Sequence, residues 1–247
     1  APNKVGNDIR IQAIQSMGPR TIEASNLIHD LRKLEAPEGA MIGGVAADFT
    51  DSQDGIANAL PWALLWITVS VLILIFIFTG SILLPIKAVL LNVLSLAATL
   101  GVLTYIFIDG NLKWLVGDFS ATGALDTGTT ILVAVVVFGL SMDYELFLLS
   151  RIKEEHFAGR NNEDSVAIGL QKSARIITAA ALILAVVFAA FVTSGVTAIK
   201  MMGFGTAFAV LLDATLIRAF LVPALMRLFG ELNWWGPKFL KKYTLDH

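Results

Sequence analysis

The sequence has 247 residues, of which 56% are hydrophobic and only 15% charged, with a mean hydropathy of +0.73 and a formal net charge of −2. A soluble domain carries about 25% charged residues, so this composition excludes a disordered chain and an ordinary cytosolic enzyme. The absence of cysteine excludes a disulfide scaffold, and the lack of a basic excess gives no indication of a nucleic-acid partner.

Three long stretches of the chain carry no charge. They cover residues 55–86, 88–108 and 176–199. Because a helix of about 20 apolar residues crosses the roughly 30 Å hydrocarbon core of a bilayer, this pattern predicts an integral membrane protein with several spans.

Residues 1–55 have the composition of a soluble segment. Pro19-Arg-Thr-Ile-Glu opens a predicted helix and Glu35-Ala-Pro-Glu-Gly ends it. Its apolar stripe consists of Ile22, Leu27, Ile28, Leu31 and Leu34. Residues 40–47 predict a short strand, and Asp51-Ser-Gln-Asp predicts the cap of a second helix. Since so small a core does not fold alone, we expect the tail of a larger α+β domain.

Five membrane spans are predicted after this segment, at residues 60–79, 87–108, 127–150, 173–192 and 198–229. Between them we expect a tight turn at 80–87, a polar loop at 109–126 and a charged loop at 151–172. The predicted fold class is thus an all-α membrane bundle of five transmembrane helices over residues 56–229. The α+β tail precedes it at residues 1–55, and an interfacial tail follows at residues 230–247.

Lysine and arginine residues fall mainly on one side of the predicted spans. That side holds Lys87, Arg151, Lys153, Arg160, Lys172, Arg175, Arg227, Lys238, Lys241 and Lys242. The opposite side holds Lys113 and Lys200. The positive-inside rule therefore predicts a plasma-membrane protein with residues 1–55 outside and the C-terminus in the cytoplasm.

The start of the sequence carries no pattern of a signal peptide, and residue 1 is alanine. Five spans put the two ends of the chain on opposite sides of the membrane. We therefore expect a fragment of a longer protein, with one more span upstream.

Asp143 is the most informative polar residue of the predicted spans. It lies about eight residues, roughly 12 Å, from the cytoplasmic end of the third span, which is too deep for a short carboxylate to reach water. A charge at such a depth costs at least about 2.5–3.5 kcal/mol. Because burial disfavours the ionised form, we interpret Asp143 as a proton relay, with a structural ion pair or a packing hydrogen bond as the alternative.

Tyr144 follows Asp143 directly and is predicted to donate a hydrogen bond to a carboxylate and orient it. Ordinary helix packing is the alternative role for this tyrosine. Glu145 points to another face of the helix, so we interpret it as a structural residue that pairs with Arg151 or Arg175.

Asp213 and Arg218 lie within the fifth span. Residues five apart do not face each other on an α-helix, which leaves a direct salt bridge open. We expect Asp213 to stabilise helix packing, with Arg218 balancing its charge. A role of Asp213 in the proton path is the alternative.

A polar stripe on the second span favours helix packing over a substrate or proton role. It consists of Asn92, Ser95 and Thr99. Small residues allow close approach of the fifth span, namely Gly203, Gly205, Ala207 and Ala209. Scattered histidines predict no metal site, and we expect no cofactor. These are His29, His156 and His247.

The run from Gly139 to Glu155, Gly-Leu-Ser-Met-Asp-Tyr-Glu-Leu-Phe-Leu-Leu-Ser-Arg-Ile-Lys-Glu-Glu, resembles the MMPL family. These "mycobacterial membrane protein large" lipid exporters belong to the RND superfamily. Further similar motifs are Arg175-Ile-Ile-Thr-Ala-Ala-Ala, Ile199-Lys-Met-Met-Gly-Phe-Gly, Leu212-Asp-Ala-Thr-Leu-Ile-Arg, Leu221-Val-Pro-Ala-Leu-Met and Asn233-Trp-Trp-Gly-Pro.

The resemblance implies twelve spans in two repeats, each with an outward porter domain between its first two spans. This chain then corresponds to the end of the second porter domain and spans eight to twelve. An Asp-Tyr pair is implied in the fourth span of each half, and Asp143 and Tyr144 match the second pair. The first pair is then expected in the N-terminal half of the same transporter.

The implied function is proton-motive-force-driven export of envelope lipids or glycolipids resembling trehalose monomycolate. The partners are then the lipid substrate, the membrane and the N-terminal half of the transporter. Two alternatives remain: another RND-like protein, related to sterol-sensing or protein-export members, and a non-transporting membrane scaffold.

Overall fold

The computed structural model describes residues 3–5, 8–14, 16–37, 39–119 and 126–237. The chain divides into two compact units, residues 1–66 and 67–247. His247, Lys238, Lys241 and Lys242 lie outside the described residues.

The first unit contains a small hairpin and two helices. Strands β1 (Asn3–Val5) and β2 (Asp8–Arg10) pair antiparallel, with Asn3 opposite Arg10. Helix α1 (Ile22–Arg32) begins after Thr21, whose hydroxyl accepts a hydrogen bond of 3.2 Å from the backbone N–H of Ala24. Such N-caps satisfy one of the free donors at the start of a helix. Helix α1 therefore forms near the predicted position.

Helix α2 (Val45–Thr79) corrects two predictions about the first unit. The predicted strand at residues 40–47 is wrong, because Ala46 and Ala47 lie in the first turn of α2 and pack against Ala24 and Ile28 of α1. Asp51 is not a cap either. It lies inside α2, where its carboxylate pairs with the Arg32 guanidinium, and the hydrogen bond between NH2 and Oδ2 measures 2.9 Å.

In the described part of the chain, five helices are long and apolar enough to cross a membrane, and the protein is a multi-pass membrane protein. They extend over Val45–Thr79, Leu83–Ile108, Thr127–Phe157, Asn162–Thr193 and Thr197–Trp234. The corresponding α-helical segments are α2, α3 (Leu83–Leu103), α5 (Thr127–Phe157), α6 (Asn162–Ala190) and α7 (Thr197–Leu212), and α8 (Val222–Phe229) continues the last span. A short helix, α4 (Lys113–Val116), lies between α3 and α5.

The charged loop predicted at residues 151–172 is mostly helical. Helices α5 and α6 extend through its charged residues and leave a turn at 158–161. Asn161 caps α6 by accepting a 2.8 Å hydrogen bond from the backbone N–H of Asp164. Glu155 on α5 binds Lys172 of α6 at 2.5 Å and Arg160 of the turn at 2.8 Å. Helix-forming charged residues with partners across the turn therefore lengthen both helices.

Small residues allow α7 to approach its neighbours, as predicted. A Cβ atom on Gly203 would lie 2.6 Å from the backbone oxygen of Phe188 on α6. A Cβ atom on Gly205 would lie 2.9 Å from the Leu103 side chain of α3. Helix α6 approaches α5 in the same way at Gly169, which meets the backbone of Ile152. Backbone contacts of this kind replace hydrophobic packing between helices in lipid.

Three turns meet at one end of the second unit, which we call the basal end. They are the turn at 80–82, the turn at 158–161 and the 3₁₀ turn Gly230–Trp234. The backbone N–H of Ile82 donates to the carbonyl of Trp235 at 3.2 Å. The Asn162 side chain donates to the carbonyl of Met226 at 2.9 Å. The basal end is thus tied together by polar contacts among the ends of α3, α6 and α8.

Lys200 lies at the opposite end of the unit, where its charged group binds backbone carbonyl groups rather than being exposed in a loop. It is buried, and its ammonium group donates to the carbonyls of Val116 and Asp118 at 3.0 Å each. These contacts satisfy carbonyl groups at the end of α4.

Candidate functional site

Asp213 and Arg218 form a buried ion pair in the last span. Asp213 Oδ2 lies 2.5 Å from Arg218 NH2, and the side chains are 6% and 1% exposed. The pair forms because residues Asp213–Leu221 are π-helical. A π-helix closes i→i+5 hydrogen bonds, which brings residues five apart onto one face. The α-helical spacing used for the sequence left this pair open, and the local geometry settles it.

Ser141 and Tyr144 of α5 complete the surroundings of the ion pair. The Ser141 hydroxyl donates to Asp213 Oδ1 at 2.9 Å, and the Ser141 carbonyl accepts from Arg218 NH2. The guanidinium carbon of Arg218 lies 5.0 Å from the centre of the Tyr144 ring. We refer to Ser141, Tyr144, Asp213 and Arg218 as the polar cluster. It joins α5 to the π-helical segment.

The polar cluster retains unused hydrogen-bonding capacity. Arg218 Nε and NH1 are buried and have no hydrogen-bond partner among the described residues. Beside the cluster lies a cavity of about 10 Å³, roughly the least space that a water molecule needs. It is lined by Val137, Leu140, Ser141, Tyr144, Ala209, Val210 and Asp213.

Asp143 lies outside the polar cluster, on the exposed face of α5. Its carboxylate makes no hydrogen bond or ion pair with the described residues. Apolar residues dominate this face: Leu132 is 48% exposed and Val135 57%, and Gly139 is exposed one turn before Asp143. Within this chain the carboxylate is thus presented on the surface of the second unit, near the middle of a membrane-spanning helix.

Tyr144 is half-buried and turns its ring toward Arg218. No hydrogen bond joins its phenol to Asp143 among the described contacts. The two neighbours in sequence therefore point in different directions, Asp143 to the surface and Tyr144 to the polar cluster.

Glu145 was expected to pair with Arg151 or Arg175, and this is wrong. Arg151 instead binds Glu154 at 2.8 Å, and Arg175 is exposed on α6. Glu145 is buried and lines a small cavity together with Lys87. The chain offered one signal for this arrangement: Lys87 and Glu145 both lie in segments rich in apolar residues, where charges need each other.

The predicted stripe of Asn92, Ser95 and Thr99 is buried on α3. Asn92 donates to the carbonyl of Phe138 on α5 at 3.4 Å, whereas Thr99 bonds the Ser95 carbonyl of its own helix at 2.8 Å. The Asn92 carbonyl oxygen and the Ser95 hydroxyl have no partner among the described residues. Of these three side chains, Asn92 is the one that the described hydrogen bonds show to join two helices.

Among the described residues, no group of three or more histidine, cysteine, aspartate or glutamate side chains is placed to hold a metal ion. His29 lies 3.6 Å from Asp54 in the first unit, and His156 stacks on Trp234 in the second, with ring centres 4.0 Å apart.

Comparison with known proteins places this geometry in a family context. The chain matches the MMPL family over residues 15–243. It is 42% identical over 225 residues to a putative membrane protein of Streptomyces coelicolor, covering 91% of this chain and 31% of that protein.

Two similar proteins are named for the lipids that they export. The trehalose monomycolate exporter MmpL3 of Mycobacterium tuberculosis is 40% identical over 238 residues, covering 95% of this chain and 25% of the exporter. The mycolic acid-containing lipids exporter MmpL11 of Mycolicibacterium smegmatis is 37% identical over 238 residues, covering 94% and 25%. The chain thus spans between a quarter and a third of the length of these relatives.

Proposed function

We propose that this chain, which belongs to the MMPL family, forms part of a proton-motive-force-driven exporter of envelope lipids or glycolipids. In this proposal it supplies the end of the second porter domain and spans eight to twelve. The rest of the transporter, with the matching Asp-Tyr pair, supplies the other half of the proton site.

The placement of Asp143 is the observation that carries the proposal. A carboxylate without a partner on an apolar, membrane-spanning face costs at least about 2.5–3.5 kcal/mol when ionised. The face that presents Asp143 is therefore suited to a second polar surface, which the N-terminal half would contribute. Between the two halves the carboxyl group would take up and release a proton.

The polar cluster supplies the response to this proton. Ionised Asp143 lies one residue from Tyr144, whose ring contacts Arg218. Protonation of Asp143 removes a negative charge one residue from Tyr144, which packs on this cation, and so weakens the attraction of Arg218 toward α5. The π-helical segment that holds Arg218 then changes its packing against α5, and the last span carries the change through the membrane.

The proton-motive force can supply the free energy for export. One proton that crosses 100 mV releases about 2.3 kcal/mol, so a few protons per cycle supply the free energy for lifting a lipid from the outer leaflet. The names of MmpL3 and MmpL11 favour trehalose monomycolate or another mycolic acid-containing lipid as the substrate class.

The orientation proposed here places the basal end in the cytoplasm. Four cations lie at this end, on the helix ends or in the turn at 158–161: Arg151, Lys153, Arg160 and Arg227. Lys200 at the opposite end binds backbone carbonyl groups instead. An excess of lysine and arginine is typical of cytoplasmic surfaces. Residues 1–55 would then face outward as the end of the porter domain.

Replacement of Asp143 in the full-length protein tests this function. In cells that depend on the transporter, Asp143→Asn is expected to lower the arrival of labelled trehalose monomycolate at the outer surface by about 100-fold, the size typical of a lost proton-transfer group. Asp109→Asn, which alters an exposed aspartate outside the helices, is the matched control and keeps export. Normal export by a folded Asp143→Asn protein would reject the proton relay. Misfolding of that variant would favour the membrane scaffold.

A further inference from the structure

Glu145 and Lys87 share a small cavity near the basal end. Both side chains are buried, 6% and 7% exposed. The cavity has a volume of about 10 Å³, about that needed for one water molecule. Its remaining lining is apolar and consists of Leu84, Leu91, Leu149, Val222, Leu225 and Met226.

Glu145 and Lys87 do not form a direct ion pair, unlike other buried charges of this chain. Asp213 and Arg218 touch at 2.5 Å, and Glu155 binds Lys172 at the same distance. Glu145, by contrast, accepts no hydrogen bond and forms no ion pair with the described residues. A buried carboxyl group left without a partner is costly unless a water fills the gap or the group is protonated.

Lys87 connects the cavity to the basal surface. Its ammonium group donates to the side-chain oxygen of Asn233 and lies 5.4 Å from the centre of the Phe229 ring. Asn233 belongs to the basal 3₁₀ turn Gly230–Trp234. One buried cation therefore faces the cavity and contacts the segment that closes the bundle at this end.

Along α5, Glu145 is adjacent to the polar cluster. It follows Tyr144 directly and lies four residues, about one helical turn, after Ser141, so the buried side chains of Ser141 and Glu145 share one face of the helix. The charged groups in its surroundings are Asp213 and Arg218 of the π-helical segment and Lys87 of α3. Glu145 thus follows the polar cluster along α5 and lines the basal cavity.

We propose that Glu145 is the proton carrier between the polar cluster and the basal surface, with Lys87 as its positioning residue and a single water as the link. The inference rests on the proposed function and extends it to the exit of the proton. In each cycle the Glu145 carboxylate takes up the proton that Asp143 releases past the polar cluster, which leaves Asp143 ionised and Glu145 neutral. Glu145 then transfers this proton to the water, which releases a proton toward the basal surface. Glu145 is left as a carboxylate, and the Lys87 ammonium group stabilises that charge and stays protonated throughout.

Proton flux through the full-length protein tests the inference. The protein is reconstituted in vesicles of phosphatidylethanolamine and phosphatidylglycerol that enclose a pH-sensitive dye. Glu145→Gln is expected to lower proton flux by about 100-fold, and Glu145→Asp, which keeps a carboxyl group, is expected to retain most of it. The matched control is Glu155→Gln, because Glu155 is buried at the same end but has direct cationic partners.

A double variant separates proton transfer from a purely structural pair. Lys87→Met with Glu145→Gln removes both charges and leaves no unpaired ion, so the bundle is expected to stay folded. A structural pair predicts wild-type flux for this variant, and that result would overturn the inference. A carrier predicts the loss seen with Glu145→Gln alone. If Glu145→Gln fails to fold, the double variant and Glu145→Asp decide the question.

Lys87→Met alone gives a readout that a packing role would not produce. Without the nearby cation, Glu145 releases its proton only against a more alkaline basal side, so the pH profile of the flux moves to higher pH. An unchanged pH profile of the proton flux would show that Lys87 does not position Glu145 for proton transfer.

The outcomes also separate this inference from the proposed function. Loss of flux in Asp143→Asn with normal flux in Glu145→Gln would overturn the exit path and leave the proton-driven exporter intact. Normal flux in both variants would overturn the exporter mechanism itself. Loss in both supports the two together.

Discussion

Asp213 and Arg218 face each other across a single π-helical turn, five residues apart in the chain and 2.5 Å apart between Oδ2 and NH2. The π-helix positions the pair against the Ser141 backbone and the Tyr144 ring of α5. A geometry that is rare in helices thus creates the charged centre of this bundle.

Removal of one member of this pair is expected to destabilise the protein strongly. Arg218→Met leaves the Asp213 carboxylate buried without its counterion, which costs about 3–5 kcal/mol of unfolding free energy. The double variant Asp213→Asn with Arg218→Met recovers most of that loss because no charge is left behind. Unfolding in detergent, followed by circular dichroism, measures both. Arg151→Met, at an exposed pair with Glu154, is the control and changes stability by about 1 kcal/mol or less. A double variant as unstable as Arg218→Met would contradict the electrostatic explanation.

Gly203 is expected to tolerate no side chain. A Cβ atom would lie 2.6 Å from the backbone oxygen of Phe188, so Gly203→Ala forces α6 and α7 apart and costs about 1–3 kcal/mol. Gly101→Ala is the matched control, because a Cβ there would meet no atom within 4 Å beyond its chain neighbours and the adjacent backbone of its own helix. Thermal unfolding of the two variants side by side gives the comparison. Equal stability would mean that the α6–α7 contact is looser than described.

Asn233 is expected to hold the basal end together. It is fully buried, and its side-chain amide donates to the carbonyls of Met226 at 2.6 Å and Gly230 at 2.5 Å. Asn233→Leu leaves these carbonyls and Lys87 without this partner, which costs about 1–3 kcal/mol. Asn111→Leu, where the amide makes an exposed bond to the Tyr105 carbonyl, is the control. Hydrogen exchange localises the effect: faster exchange confined to residues 222–234 is expected, and unchanged exchange there would refute this role.

Features of the fold that depend on neighbouring residues could be predicted from the sequence, whereas contacts between distant residues could not. Hydropathy located all five spans because lipid imposes a length and a composition on each helix separately. The small-residue contacts of Gly203 and Gly205 were predictable for the same local reason. The helix ends were misplaced at residues 151–172, since charged residues there find partners across a turn that periodicity does not reveal.

The sequence identified most residues of the candidate site but not their arrangement. Asp143, Tyr144, Asp213 and Arg218 stood out as polar groups in apolar spans, whereas Ser141, which binds both members of the ion pair, was missed. The α-helical spacing rule concealed the Asp213–Arg218 pair, because a π-helix changes which residues share a face. The environment of Glu145 depends on Lys87, which is distant in sequence, and no local pattern encodes that contact. The proton-carrying role of Asp143 and Tyr144 stays a prediction.

The orientation of the bundle can be tested with single cysteines, which the chain naturally lacks. Asp109→Cys and Glu163→Cys place thiols at exposed positions at opposite ends of the second unit. With the basal end in the cytoplasm, a membrane-impermeant maleimide added to intact cells labels Asp109→Cys, whereas Glu163→Cys reacts only after lysis. The reverse pattern would invert the orientation. Any cysteine elsewhere in the full-length protein is replaced beforehand.

Infrared difference spectroscopy of the full-length protein observes the Asp143 carboxyl group itself. A proton relay predicts a protonated-carboxyl band that is present at low pH, disappears as the pH rises and is missing from Asp143→Asn. A spectrum in which Asp143 stays ionised at every pH, or in which Asp143→Asn leaves the titrating band unchanged, would contradict it.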